Sequence, residues 1–186
     1  DVVFNHTAEL DDFGPAEHFK LLGREDWYLL SKDGDFLNFS GCGNTFKCAG
    51  PGARRMIRDS LVYWAQNLGV DGFRFDLASI LERDPNGNFH QGSELLWELK
   101  NDPELAGIKM IAEPWDAVGG YRLGYPSKNA NWAEWNDSFR DTVRKAVRGE
   151  EGQMTALKEA ILGSPGIFGS TEKGREFSIN FITSHD

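Results

Sequence analysis

Apolar residues recur along this chain with two periods. Between Pro51 and Leu68 they fall at positions 57, 61, 64, 65 and 68, with Pro in the first turn and Gly69 just past the end, which predicts an amphipathic helix. After that glycine the period becomes two. In Val70 to Asp76 the residues Asp71, Phe73 and Phe75 share one face of a strand, and Val70, Gly72, Arg74 and Asp76 share the other. A second helix is expected over Ser93 to Lys100, with Leu95, Leu96 and Leu99 on one side, followed by a strand from Ile108 to Glu113. Helices over Phe139 to Arg148 and Gln153 to Leu162 then lead to a strand from Phe177 to Thr183. Helix alternating with strand is the α/β pattern. The stretch 7–50 has neither period and exceeds the ~12–15 residues usual for a plain loop, so it reads as a subdomain or a binding wall.

Three of the strand-like runs end in an acid: Asp76 in VDGFRFD, Glu113 in IKMIAE and Asp186 in FSINFITSHD. A fourth, DVVFNH, opens the chain and ends in His6. Carboxylates and imidazoles delivered from the last residues of separate strands describe an active site at the carboxyl edge of a parallel sheet or barrel. Cleaving a glycosidic bond with retention needs two carboxyl groups held ~5–5.5 Å apart, a spacing that neighbouring strand ends supply. Arg74, on the face of Asp76, would keep that carboxylate charged. Glu113, followed by Pro114 and Trp115, is expected in a more apolar setting that favours the proton donor.

Composition narrows the partners. A net charge of -9 disfavours nucleic acid and anionic membranes and permits a neutral substrate. No apolar run is long enough to cross a bilayer. Cys42 and Cys48 lack the further Cys or nearby His of a zinc site and read as free thiols. The glycines around Cys42 lack the Lys and flanking elements of a phosphate loop. His18 and His90 read as surface residues, and Trp132 and Trp135 as core aromatics by default; Trp115, beside Glu113, suits sugar stacking.

In that order, DVVFNHT, DGFRFDLAS, IAEPWD and FITSHD resemble the four sequence regions of the alpha-amylase family of glycoside hydrolases. The HTAE extension, NFSGCGNTF and the AEPWD form are similar to isoamylase-type and glycogen-debranching enzymes, which hydrolyse α-1,6 branch points. The resemblance implies an α/β fold in which residues 1–186 are part of a catalytic (β/α)8 barrel, about strands 3 to 7, with 7–50 inserted after strand 3. It makes Asp76 the nucleophile, Glu113 the general acid/base and Asp186 the transition-state carboxylate. His6, Arg74, His185 and Trp115 would line the substrate subsite, and Asp1 and Asn5 would support the site. Asn5 matches a calcium-binding position of many amylases, but debranching relatives often lack that site, so neither a metal nor another cofactor is implied. Ala49-Gly50-Pro51 departs from the His that relatives usually carry before this Pro, which touches loop contacts only. The implied partner is a branched α-glucan such as glycogen, amylopectin or limit dextrin, with no nucleic acid or membrane, and the implied compartment a bacterial cytoplasm or a plastid. An α-1,4-acting amylase, a transglycosylase or a silent glucan-binding subunit are the alternatives. The chain reads as an internal piece of a longer catalytic domain; its oligomeric state stays open.

Overall fold

The computed structural model describes every residue except Asp12, Gln91 and Asp186. The chain divides into two units, Asp1–Arg122 and Leu123–Asp186.

In the first unit, helix α1 (Arg24–Trp27) precedes helix α2 (Pro51–Leu68). The start and stop signals of α2 act as expected: Pro51 sits in the first turn and Gly69 takes the left-handed conformation, its N–H returning to Trp64 O. Its buried stripe is shorter than the sequence pattern suggested. Ala53, Ile57 and Leu61 are buried, whereas Trp64 and Leu68 are about half exposed. Strand β1 (Gly72–Phe75) then pairs in parallel with β2 (Lys109–Ala112), in the register Gly72↔Lys109 to Phe75↔Ala112. Gly72 is required by this approach, since a Cβ there would lie 2.8 Å from Lys109 Cβ. Phe73 and Phe75 fill the core on one side. Between the strands runs α3 (Glu94–Asn101), which buries Leu95, Leu96 and Leu99. Ser93 Oγ caps it, accepting from Leu96 N, and also donates to Leu81 O at 2.9 Å.

The opening run DVVFNH is not a full strand. It makes one parallel bridge, Val2 to Phe75, through Val2 N to Arg74 O at 2.8 Å and Asp76 N to Val2 O at 3.0 Å. That bridge still aligns residues 1–6 beside β1. The stretch 7–50 holds together without a periodic stripe. Antiparallel bridges join Tyr28 to Phe46 and Leu30 to Phe36, and the rings of Phe19, Trp27, Tyr28, Phe36 and Phe46 pack on one another. A buried carboxylate organises the rest. Glu9 accepts from the Tyr28 hydroxyl and from the backbone N–H of Glu17, His18 and Lys20. Gly43, at φ 98°, passes so close to Leu10 O that a Cβ would lie 1.9 Å away. Cys42 is exposed and Cys48 buried, both free. His18 and His90 are exposed, as expected.

In the second unit β3 (Ala133–Asn136) pairs in parallel with β4 (Ser178–Asn180). Around them lie α4 (Tyr125–Ala130), α5 (Asp137–Val147), α6 (Met154–Ile161), α7 (Pro165–Phe168) and α8 (Glu172–Glu176). The pattern of apolar positions did not predict β3, and the physical reason is that its inward face is polar. Glu134 and Asn136 are fully buried. Glu134 accepts N–H bonds from Gly124 at 2.6 Å and Ser127 at 2.7 Å at the start of α4, and burial pushes its carboxyl above the ordinary glutamate range. Asn136 caps α5 by accepting from Phe139 N, and donates to Ser164 Oγ and Ser178 Oγ. Trp132 is a core residue at 1% exposure, while Trp135 lies within β3 against Phe181 and His185. The last strand is shorter than the apolar run: three residues, Ser178–Asn180. Among the described residues no helix is long and apolar enough to cross a membrane.

Candidate active site

The parallel register carries the site. Phe75 faces Ala112, so Asp76 and Glu113 follow one residue beyond, at the carboxyl ends of adjacent strands. Glu113 N donates to Phe75 O at 3.1 Å, and Ala78 N donates to Glu113 O at 2.8 Å. Parallel strands lie about 4.8 Å apart, so the two residues leave the sheet side by side.

Arg74 lies between them. Two residues before Asp76, it projects from the same face of β1 with 9% of its side chain exposed. Its Nη1 is 2.9 Å from Asp76 Oδ1 and 3.0 Å from Asp1 Oδ1, and its Nη2 is 2.9 Å from Glu113 Oε2. One planar guanidinium thus meets three carboxylates, with its two Nη atoms turned to different acids. The two central acids differ in access. Asp76 keeps 24% of its side chain exposed, whereas Glu113 keeps 4%. The expected apolar setting of Glu113 is not what surrounds it: besides Arg74, the N–H of Leu77 donates to Glu113 Oε2 at 2.8 Å. That N–H is aimed by Leu77 itself, a non-glycine residue in the left-handed region at φ 41°, where the chain turns directly after Asp76. Such a conformation costs about 1–3 kcal/mol and is held by its surroundings.

The opening run supplies the remaining contacts. Asn5, fully buried, donates from Nδ2 to Asp76 Oδ2 at 2.8 Å and to Asp76 O at 2.9 Å. Its Oδ1 is 2.5 Å from His6 Nδ1. Burial lowers the pKa of His6, partly offset by the negative charge of Asp76. Asp1, Asn5, His6, Arg74, Asp76 and Glu113 are therefore one connected cluster within the first unit. His185 belongs to the second unit, where its ring meets Trp135. Asp186 lies outside the described residues.

Trp115 is half-buried, bridged to Tyr121 across a short loop after β2. That loop is fixed by charges the sequence reading did not single out. Asp116 Oδ1 accepts from Gly120 N at 2.7 Å, and its Oδ2 meets Arg83 Nη2 at 2.5 Å. Arg83 in turn lies over the rings of Phe39 at 3.8 Å and Phe89 at 4.2 Å. Arg122 pairs with buried Glu82 at 2.8 Å. The only signal in the sequence was charge inside an otherwise apolar turn, Ile80 to Arg83, and solvated residues leave the same trace. Among the described residues no group of three or more His, Cys, Asp or Glu is placed to hold a metal ion.

A parallel α/β scaffold that delivers two acids of unequal access from adjacent strand ends is suited to a reaction that needs a nucleophile and a proton donor side by side. Comparison with known proteins agrees. All of the chain aligns with the chloroplastic isoamylase SU1 of Zea mays, 42% identical over 206 residues and covering 26% of that protein. A glycogen debranching enzyme of Escherichia fergusonii is 39% identical over 188 residues, with 28% of it covered. Among solved structures, pullulanase from Anoxybacillus sp. LM18-11 complexed with maltotriose matches all of this chain with a TM-score of 0.77 at 26% identity, over 26% of that chain. The chain spans about a quarter of the length of the curated relatives it matches. No protein-family model matches it. Over its whole length the chain is thus similar to isoamylases and glycogen debranching enzymes, and its fold matches part of a pullulanase, in line with the expectation from its four ordered motifs.

Proposed function

We propose that the protein is a retaining hydrolase of α-1,6 branch points in glycogen- or starch-type glucans, with Asp76 as nucleophile and Glu113 as general acid/base. The observation that carries this is the placement of Asp76 and Glu113 on the two ends of the Arg74 guanidinium. Asp76 attacks the anomeric carbon as the bond to the leaving oxygen breaks, and Glu113 gives that oxygen its proton. Water then attacks the glycosyl ester with Glu113 taking its proton, which frees the sugar and restores both acids. Arg74 holds the nucleophile in place through Asp76 Oδ1. Asp186, His6 and His185 bind sugar hydroxyls around the transition state, Trp115 supplies a stacking face, and Asp1 and Asn5 support the constellation. Residues 7–50 form a wall inserted into the barrel. The substrate is a branched α-glucan, as the names of the relatives suggest, and the compartment is a bacterial cytoplasm or a plastid.

In the complete protein Asp76→Asn should abolish the release of linear chains from glycogen or amylopectin. Near-normal turnover by that variant would refute the assignment. Product analysis tests the bond: release of linear chains from branched glucan without maltose supports α-1,6 cleavage, and maltose from linear glucan would transfer the protein to the α-1,4-acting members.

A further inference from the structure

Asn5 holds a position that its hydrogen bonds define completely. Its Nδ2 faces two oxygens of one residue, the Asp76 carbonyl at 2.9 Å, which can only accept, and Asp76 Oδ2 at 2.8 Å. The amide cannot be turned over, because its oxygen would then face both acceptors. Oδ1 is consequently the atom that meets His6 Nδ1 at 2.5 Å, and Nδ1 must be the donor. Two things are fixed at once. The Asp76 carboxylate has one donor on each oxygen, Asn5 on Oδ2 and Arg74 on Oδ1, so its plane cannot rotate about the Cβ–Cγ bond. The His6 proton is pinned to Nδ1, leaving Nε2 as the ring atom available to a ligand. Asn5 itself is fully buried, so it acts through these two neighbours.

We infer that Asn5 is a positioning residue that sets the attack geometry of Asp76 and, through the same amide, the tautomer of His6. The inference rests on the proposed role of Asp76 as nucleophile. Misplacing a reacting group by about 1 Å costs on the order of 100-fold in rate, which is the scale expected here. An attack defect and a protonation defect separate on substrates of different leaving groups. Fluoride departs with little help from an acid, so an α-maltosyl fluoride bypasses Glu113 but still needs a correctly held nucleophile.

In the complete protein, Asn5→Ala and Asn5→Asp should each lower kcat on branched glucan by about 100-fold with KM little moved, and the loss should persist on α-maltosyl fluoride. Glu113→Gln, in contrast, should lose activity on the glucan but regain the first step on the fluoride, read as a burst of fluoride release of one equivalent per enzyme, because the second step still needs Glu113 as base. Asn5→Asp keeps the shape and the acceptor toward His6 while removing the donor to Asp76, so it decides the matter where Asn5→Ala fails to fold. A folded Asn5 variant that keeps its kcat, that loses KM alone, or that is restored by the fluoride would overturn the inference. Failure of both variants to fold would overturn it as well, assigning Asn5 to stability alone. Failure of the underlying site reading shows separately, as retained activity of Asp76→Asn.

Discussion

Arg74 offers a direct test of how the site is held. Replacing it by methionine keeps the aliphatic stem and removes the guanidinium from three carboxylates. These are unequal losses. Asp1 is 49% exposed, and a pair of that kind contributes about 0–1 kcal/mol. Glu113 is 4% exposed against 9% for Arg74, and removing one partner of a buried pair costs about 3–5 kcal/mol, because the other charge stays behind unmatched. Arg74→Met should therefore destabilise the strand ends by about 3–5 kcal/mol. Arg74→Lys keeps the charge but gathers it on one nitrogen at the end of a different stem, so the ion pair with Glu113 weakens, a loss of about 1.5–3 kcal/mol for a contact between charged groups. Native-state hydrogen exchange reads this locally in the complete protein, at the N–H groups of Asp76, Ala78 and Glu113, which bond to Val2 O, Glu113 O and Phe75 O. Protection there should fall by about two to four decades in Arg74→Met and about one to two in Arg74→Lys. Adding Glu113→Gln to Arg74→Met should return part of it, since the stranded charge is gone. Unchanged protection in Arg74→Met would refute the view that the guanidinium holds the site together.

Two further outcomes follow from groups away from the site. Burial alone would raise the Glu9 carboxyl, but the Tyr28 hydroxyl and the N–H groups of His18, Lys20 and Glu17 outweigh it and hold the group below the ordinary glutamate range. Stability from a depressed carboxyl is present above the unfolded value and lost as pH falls through the folded one, so amide protection of Glu17, His18 and Lys20 should survive to below pH 4.5 and then drop. Tyr28→Phe should move that drop to higher pH; protection lost already near neutrality in the parent would contradict this. Alkylation with peptide mapping should label exposed Cys42 in the folded protein and spare Cys48, whose thiol burial pushes up to about 12, until the chain unfolds. Equal labelling of the two would contradict the burial of Cys48, whose Sγ lies 3.3 Å from Phe4 O.

Much of the architecture was legible because it repeats. The α2 boundaries, the leucines of α3 and the inward phenylalanines of β1 follow from periods of 3.6 and 2 together with Pro51, Ser93 and Gly69. β3 was not legible, because its buried side chains are Glu134 and Asn136, and a strand with polar residues inward inverts the pattern by which strands are recognised. The stretch 7–50 was visible only as a segment without a period, since its order comes from ring contacts and from hydrogen bonds to Glu9 that join residues far apart in sequence.

The sequence by itself determined that Asp76 and Glu113 stand at strand ends, because strand periodicity and the residues that stop it are local properties. It placed Arg74 on the face of Asp76 for the same reason. Only the tertiary structure decided what meets across strands. The β1–β2 register brings Glu113 onto the second arm of Arg74, the turn at Leu77 aims an N–H at that carboxylate, and the Val2 bridge lays Asn5 against Asp76. Those contacts depend on register and on a left-handed residue held by its neighbours, neither of which a one-dimensional pattern encodes.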